Sequence, residues 1–205
     1  MPQEATAPIH GMSLAEWASL PEDAPGELVD ERLVDEEVPD AVHETIVRWL
    51  LVALSTWIVP RGGLSFGSEL KYAVQSTRGR KPDLSAYFPG RVPPRRGLVR
   101  VPPDLMIEIV SPSPRDARRD RVEKLGEYAA FGVRFYWIVD PSLRLLEIYE
   151  LGDNGRYQHA LGASDGVIAS IPGCDGLTLD LDAMWAELER LGTAEEDEDI
   201  PFPKA

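Results

Sequence analysis

The pattern of hydrophobic and polar positions predicts that helices and short strands follow one another along the chain. Helices are expected at about 12–20, 39–59, 115–131 and 181–191. In the longest of them, apolar residues recur at helical spacing from Val42 to Trp57, and Pro60 and Gly62-Gly63 end the pattern. Ser13 and Glu16 have the spacing of a capping box, and Gly132 is a suitable terminator for the third helix.

Strands are predicted where residues alternate in polarity or where short apolar runs occur, at about 27–29, 32–34, 64–74, 81–88, 104–110, 134–139, 145–151, 157–161 and 167–170. The run at 135–139 is almost continuously apolar, which is typical of a strand covered on both faces. Strand 104–110, the following helix and strand 134–139 form a right-handed crossover with parallel strands. The hairpin before it is antiparallel. An α/β (mixed α+β) class is therefore predicted, with a central mixed sheet flanked by helices.

The chain of 205 residues is long enough for one domain with a sizeable core. We expect a loose N-terminal tail over 1–11, a single domain over 12–192 and an acidic, disordered tail over 193–205, where like charges cluster. No apolar run reaches about 18 residues, so no membrane partner is expected. The first residues lack a secretory pattern, which predicts a cytoplasmic location. Cys174 is the single cysteine, which excludes an internal disulfide and argues against a zinc finger.

The net charge of −14 is unevenly distributed. Between Arg78 and Lys124 there are twelve Lys or Arg against six Asp or Glu, so one basic surface on an acidic body is indicated. The arginines of this stretch are either simply solvated or in contact with phosphates, and the pattern does not decide between the two. An acidic body would weaken non-specific binding to DNA and make it strongly salt-dependent.

Two acidic residues on apolar strands carry the candidate chemistry. Glu108 lies inside the apolar run 105–110, where a charge must be paired, protonated or bound to a metal. Asp83 begins the preceding strand. If the two strands are neighbours, both carboxylates can bind one ion, and the carbonyl oxygen of Ile109 is a natural third ligand. Two carboxylates and a carbonyl suffice for Mg²⁺, which keeps several of its waters.

Several short motifs follow one another in a fixed order: Arg80-Lys81-Pro82-Asp83, Pro103-Asp104-Leu105 through Glu108, Ser111-Pro112-Ser113, Asp120 through Lys124, Tyr128, Gly132-Val133 and Tyr136 through Pro141. In this order they closely resemble the bacterial putative restriction endonuclease family of the PD-(D/E)xK nuclease superfamily. The resemblance extends from about Glu27 to Trp185. It implies a restriction-endonuclease-like fold and a magnesium-dependent phosphodiesterase that acts on DNA.

The resemblance assigns Asp83 as the motif aspartate and Glu108 as the motif glutamate. The superfamily pattern expects a lysine two residues after the glutamate, where this chain has Val110. Lys124 on the following helix is the candidate replacement, on the edge of an apolar face that includes Val122. There it would orient the attacking water or stabilise charge on the phosphate. The alternative is an ordinary surface lysine that pairs with Asp120 at i, i+4.

Other positions have both a functional and a structural interpretation. The resemblance makes Glu27 a further metal ligand or a residue that holds a water. His43 would contact a phosphate or a carboxylate in the second coordination shell, or it is structural. Glu69 is an extra ligand or part of a solvent face, and Asp104 is expected to belong to a turn. Phosphate contacts or plain solvation are the alternatives for Arg115, Arg118, Arg119 and Arg121.

The function predicted from the sequence is hydrolysis of phosphodiester bonds in DNA by a metal-dependent endonuclease. Asp83, Glu108 and Lys124 would be catalytic, and Mg²⁺, which Mn²⁺ can replace, would be the cofactor. DNA is the expected partner, and a homodimer would suit the cutting of two strands. One alternative is a weak or inactive nucleic-acid-binding or regulatory module of the same fold. Another is a nuclease for RNA or branched DNA, and a third is a structural or interaction protein in which Glu108 is merely neutralised by an arginine.

Overall fold

The computed structural model describes residues 11–21, 24, 26–34, 39–111, 113 and 118–192. Apart from Gly11, both predicted tails lie outside the described residues, as do residues 115–117 at the predicted start of the third helix. The helices are α1 (Leu14–Ser19), α2 (Ala41–Ile58), α3 (Leu125–Phe131) and α4 (Leu181–Leu188). A short 3₁₀ turn, Val59–Arg61, follows α2, and a π-helical segment, Arg119–Lys124, leads directly into α3.

The strands are β1 (Glu27–Val29), β2 (Arg32–Val34), β3 (Leu64–Phe66), β4 (Tyr72–Gln75), β5 (Arg78–Arg80), β6 (Leu84–Tyr87), β7 (Leu105–Ile109), β8 (Phe135–Asp140), β9 (Leu145–Leu151), β10 (Tyr157–Ala163), β11 (Val167–Ile168) and β12 (Leu179–Asp180). The larger sheet has the order β10-β9-β8-β7-β6-β3. Its β7 and β8 are parallel and its other neighbours are antiparallel. The predicted mixed sheet with one crossover is therefore confirmed.

Alternate residues of the central strands enter two different cores. Ile107 and Ile109 of β7 pack in the core that α2 and α4 share with the sheet. Met106 and Val110 point the other way and pack with Tyr128 of α3. This alternation follows from the period of two along a strand and was predicted from the sequence. It assigns Glu108 to the face that α3 covers.

A second, four-stranded sheet with the order β2-β1-β5-β4 was not predicted. The continuous strand expected over 64–74 is wrong, because it is divided between β3 of the large sheet and β4 of the small one. Glu69 has a left-handed backbone (φ 89°), which breaks it. The strand expected over 81–88 is present as β6 but begins only at Leu84, after the connection Lys81-Pro82-Asp83 from β5, where proline has no amide hydrogen for a ladder. The small sheet packs under α1, where a Cβ on Gly79 would come within 2.2 Å of the Trp17 ring.

Helix α2 supplies the longest apolar stripe of the fold. Among the described residues, the segment Ala41–Arg61 is the one helix whose length and composition would let it cross a membrane. A core helix of a globular domain has the same properties. Here Ile46, Leu50 and Leu54 are fully buried against the large sheet. The first turn of α2, capped by Asp40, carries His43 to the edge where β6 begins.

Candidate functional site

The register of β6 and β7 brings the two predicted carboxylates together. These strands are antiparallel, with Leu84 opposite Ile107. Continuing the register by one residue sets Asp83 opposite Glu108. The strands are still adjacent at this point, because the amide of Ile109 donates to Oδ2 of Asp83 at 2.7 Å. Residues opposite each other in such a pair have Cα atoms about 4.5–5.5 Å apart. The two carboxylates therefore belong to one site.

The end of this ladder bears on the Ile109 carbonyl. The pairing of β6 with β7 ends at Leu84 and Ile107, and the amide of Ile109 donates to the Asp83 side chain instead of a strand carbonyl. Pro82, which precedes Asp83, has no amide hydrogen and cannot donate to the carbonyl of Ile109.

Asp83 is held from two directions. Its Oδ2 accepts from Ile109, and Nε2 of His43 lies 3.1 Å from its Oδ1. Burial by itself would lower the pKa of His43, but the hydrogen bond and the charge of Asp83, with Glu44 and Asp40, outweigh it, so that the pKa is raised. The Nδ1 atom of His43 is buried without a hydrogen-bond partner in the described part of the chain. Of the two interpretations of His43, the one with a carboxylate contact fits the structure.

Glu108 is almost completely buried, with 3% of its surface exposed. Its Oε1 accepts from the Tyr128 hydroxyl at 2.6 Å, and its Oε2 lies 2.9 Å from Nζ of Lys124. Burial raises the pKa of Glu108 well above its usual range. Lys124 opposes this rise, whereas the charges of Asp83 and Asp120 add to it. The site consequently holds more negative charge than its lysine neutralises.

Lys124 lies among three carboxylates and is 4% exposed. Its Nζ is 2.9 Å from Glu108, 3.2 Å from Asp120 and 3.9 Å from Glu27. Burial alone would lower the pKa of Lys124, but these acidic neighbours raise it well above its usual range. The side chain therefore stays a charged ammonium. The expected pair with Asp120 is present, but Lys124 is not a surface lysine, and its role toward a water or a phosphate stays a prediction.

The helical geometry assumed for Lys124 is wrong. A regular helix would place Lys124 at the edge of an apolar face with Val122, yet Val122 is 60% exposed and Lys124 is buried. The segment Arg119–Lys124 is π-helical, so the rotation of about 100° per residue does not apply to it. The wider turn brings Asp120 and Lys124 inward together.

A buried network of ion pairs lies next to Lys124. Arg80 is fully buried and donates to Oε2 of Glu27 at 2.6 Å. It also donates twice to Glu127, at 2.6 and 2.8 Å. The other oxygen of Glu27 accepts from the amide of Lys81 at 2.9 Å. Burial tends to raise the pKa of Glu27, but Lys124 and Arg80 outweigh it and the pKa is lowered. Both oxygens of Glu27 therefore have donors, and a role of Glu27 as a metal ligand stays a prediction.

Sequence reasoning missed Arg80 and Glu127. Arg78 and Arg80 alternate on one short strand, which is a signal for a shared face, and Arg78 also contacts Glu127 together with Asp30. The partner helix lies 47 residues further along the chain from Arg80, and nothing in the local pattern indicates that distance.

The remaining candidates lie outside the carboxylate pair. Asp104 accepts from the amide of Phe88 at 2.7 Å, as expected for a turn residue. Glu69 is half exposed and pairs with Lys81 at 2.9 Å. Arg121 pairs with Asp140 and Glu147, Arg118 is exposed and Arg119 is buried. Arg115 lies outside the described residues.

The available oxygen ligands suit a hard divalent cation that needs only a few protein ligands and keeps several waters. No group of three or more His, Cys, Asp or Glu side chains suited to a metal occurs in the described ranges. Asp83 and Glu108 instead offer two carboxylates beside the Ile109 carbonyl. Mg²⁺ is commonly held by one or two carboxylates and keeps several waters. Each carboxylate has about four acceptor positions, so its present partners leave room for an ion.

Comparison with known proteins identifies the fold and the family of the chain. A crystal structure of a putative nuclease of the DUF820 group from Anabaena variabilis matches with a TM-score of 0.69 at 20% identity, over 86% of this chain and 99% of that one. At this identity the likeness establishes the fold, which is restriction-endonuclease-like. No curated protein matches the chain. The model of the Uma2 family, described as putative restriction endonuclease, matches residues 14–182. The resemblance found in the sequence is therefore confirmed, and the chain belongs to the Uma2 family of putative restriction endonucleases.

Proposed function

We propose that this protein is a metal-dependent endonuclease that hydrolyses phosphodiester bonds in DNA. Membership of the Uma2 family supports a nuclease function in general. The observation that carries the finer proposal is the hydrogen bond of 2.7 Å from the amide of Ile109 to Asp83, which brings Asp83 to the end of β7 beside Glu108. A pair of carboxylates at the end of two central strands is otherwise costly, because like charges close together oppose ionisation.

The charge of the site favours a cation. Glu108 and Asp120 both contact the ammonium group of Lys124, and the pKa of Glu108 is raised by burial and by the charges of Asp83 and Asp120. A divalent ion held by Asp83, Glu108 and the Ile109 carbonyl would relieve this excess of negative charge. Mg²⁺ or Mn²⁺ bound there would neutralise charge on the scissile phosphate and lower the pKa of a water.

Lys124 has a defined role in this proposal. Its ammonium is buried 2.9 Å from Glu108 and remains protonated, so it can donate hydrogen bonds but cannot accept a proton. It would orient the attacking water or stabilise negative charge that develops on the phosphate. His43 and Tyr128 would hold Asp83 and Glu108 in position through their hydrogen bonds.

The proposal is tested with supercoiled plasmid, Mg²⁺ or Mn²⁺, and four proteins. Asp83→Asn and Glu108→Gln should lose at least about 10²-fold in cleavage, since each removes a ligand charge needed at the transition state. Glu123→Gln is the control, because it removes one charge from an exposed side chain next to Lys124. EDTA should abolish cleavage by the wild type. Full activity of both site variants, or undiminished cleavage in EDTA, would contradict the proposal.

Titration calorimetry supplies a readout that does not depend on cleavage. Mg²⁺ or Mn²⁺ should bind to the wild type and to Glu123→Gln, and binding should weaken in Asp83→Asn and Glu108→Gln. If no divalent ion binds to the wild type, the metal site is refuted. The same preparations offered single-stranded RNA and a branched DNA junction determine whether duplex DNA is the preferred substrate.

A second candidate function is a nucleic-acid-binding module without turnover. It is favoured by one observation: both oxygens of Glu108 already have partners within the protein, Tyr128 and Lys124. This candidate predicts that the protein binds DNA equally well with and without divalent ions and never cuts it. A homodimer and a cytoplasmic location stay predictions.

A further inference from the structure

The loop between β6 and β7, residues 88–104, carries an unusual charge for this protein. It contains Arg91, Arg95, Arg96 and Arg100 and a single acidic residue, Asp104, which pairs with Arg91 at 3.7 Å, in a chain whose net charge is −14. All four arginines are exposed. We call this segment the arginine loop.

Three of these charges are not neutralised by the protein. In the part of the chain that the structure describes, the side chains of Arg95, Arg96 and Arg100 have no ion-pair or hydrogen-bond partner. Arg80 and Arg121 differ, since each of them contacts two carboxylates. The excess of basic residues seen in the sequence between Arg78 and Lys124 thus becomes, at the surface, one loop of unpaired guanidinium groups.

The arginine loop is also fixed to the body of the protein. Val99 is buried and exchanges backbone hydrogen bonds with the region of β4, from Ala73 at 2.8 Å and to Lys71 at 2.9 Å. The Tyr87 hydroxyl donates to the carbonyl of Val101 at 2.7 Å, and Arg91 donates to that of Pro102 at 3.1 Å. Five prolines restrict the backbone further. A loop ordered before binding loses little conformational freedom when a ligand arrives.

We propose that the arginine loop binds the phosphate backbone of duplex DNA, apart from the carboxylate site. Guanidinium groups bind phosphate oxygens in a bidentate manner and remain charged at every physiological pH. The acidic remainder of the protein repels a polyanion, so a local surface of unpaired arginines is where a duplex can approach. The inference deepens the proposed function and rests on it for the choice of DNA as the polyanion.

The position of the loop makes it a binding element rather than a catalytic one. Strand β6 leads from Asp83 to the arginine loop, and β7 leads back from the loop to Glu108. Four strand residues span roughly 13 Å at about 3.3 Å each. The loop arginines therefore lie at the opposite ends of these strands from the carboxylates. Their removal should weaken the binding of DNA and leave the chemical step intact.

The test uses the full chain carrying Arg95→Gln, Arg96→Gln and Arg100→Gln together. The matched control carries Arg48→Gln, Arg144→Gln and Arg190→Gln, which removes the same charge from exposed arginines that each contact a glutamate. Fluorescence anisotropy measures the affinity for a labelled duplex in EDTA over a range of salt concentrations. If each loop arginine neutralises one phosphate, the slope of log K against log salt becomes shallower by about 0.9 per arginine, roughly 2.7 for three. The control should keep the wild-type slope within about one.

Plasmid cleavage separates this inference from the proposed function. The loop variant should raise KM and keep kcat, whereas Glu108→Gln should lose cleavage and keep the wild-type salt slope. If the wild type cuts DNA and the loop variant has an unchanged KM and slope, the loop inference falls and the nuclease proposal stands. If no protein cuts DNA but the loop variant alone loses binding, the nuclease proposal falls and the loop inference stands. Binding to phosphatidylserine vesicles through the loop without binding to a duplex would also overturn the inference.

Discussion

Replacement of Arg80 by methionine tests the buried ion-pair network directly. Arg80 is fully buried and bridges Glu27 and Glu127 through three hydrogen bonds of 2.6 to 2.8 Å. Methionine keeps a long apolar side chain in the same space and removes the charge. Two buried carboxylates then lose their main counter-charge. We expect Arg80→Met to fold into the same structure with a much smaller free energy of unfolding.

The size of the loss follows from what remains around the two acids. Breaking a buried pair by removing one partner costs about 3–5 kcal/mol. Glu27 keeps the amide of Lys81 and Lys124 at 3.9 Å, and Glu127 keeps Arg78, so the lower end, about 3 kcal/mol, is expected. That is a large part of the 5–15 kcal/mol typical of a domain. Arg78→Met is the control, because Glu127 then keeps both of its bonds to Arg80, and a loss below about 1 kcal/mol is expected.

The loss of stability in Arg80→Met should become smaller as the pH falls. The pKa of Glu27 is lowered in the folded wild type, so its ionised form contributes stability above the unfolded pKa of about 4.3. This contribution is lost as the pH falls through the folded pKa. Arg80→Met loses the part of it that Arg80 supplies, while Lys124 and the Lys81 amide keep the rest, so the difference in stability between wild type and variant should be largest near neutral pH. It should shrink below about pH 4.

Urea unfolding followed by tryptophan fluorescence and by circular dichroism measures these differences. Coincident transitions and similar m-values would allow the free energies to be compared. A loss for Arg80→Met that is no larger than that for Arg78→Met would refute the role assigned to the network. If the difference in unfolding free energy between wild type and Arg80→Met grew as the pH fell, the stabilisation of ionised Glu27 by Arg80 would be refuted, even if the variant is unstable.

Two further predictions concern single residues of the same fold. Lys124→Met should lower plasmid cleavage by about 10²-fold or more while duplex binding measured by anisotropy is kept, because a donor to the developing charge is removed. Full activity of this variant would exclude Lys124 from the mechanism. Burial raises the pKa of the Cys174 thiol to about 12, so roughly one molecule in ten thousand carries a thiolate at pH 8. The native protein should therefore resist a disulfide thiol reagent that modifies the urea-unfolded chain quickly, and rapid modification of the native form would contradict the burial.

Elements with a local signal could be predicted from the sequence. The apolar spacing along α2 and the order of strand, helix and strand around Glu108 depend on neighbouring residues, and these elements formed as expected. Glu108 itself was identified because a carboxylate in an apolar strand requires a partner. The pairing of Asp83 with Glu108 needed one further assumption, that their strands are neighbours.

The parts that were missed depend on distant or subtle causes. The small sheet joins strands whose alternation is too short to show to which sheet they belong. The pairing of Arg80 with Glu127 connects a strand to a helix 47 residues away. The π-helical turn that buries Lys124 differs from an α-helix by one residue in its hydrogen bonding, and side-chain periodicity over six residues does not detect that difference.

The short connection between the two sheets links their assembly to that of the site. Only Lys81, Pro82 and Asp83 separate β5 in the small sheet from β6 in the large one. Because this connection is so short, any displacement of the small sheet from the large one would also displace Asp83. A chain that has formed only its large sheet would contain Glu108 without Glu27, the carboxylate of the small sheet that lies 3.9 Å from Lys124. We therefore expect the complete site to form only when the small sheet has packed against the large one.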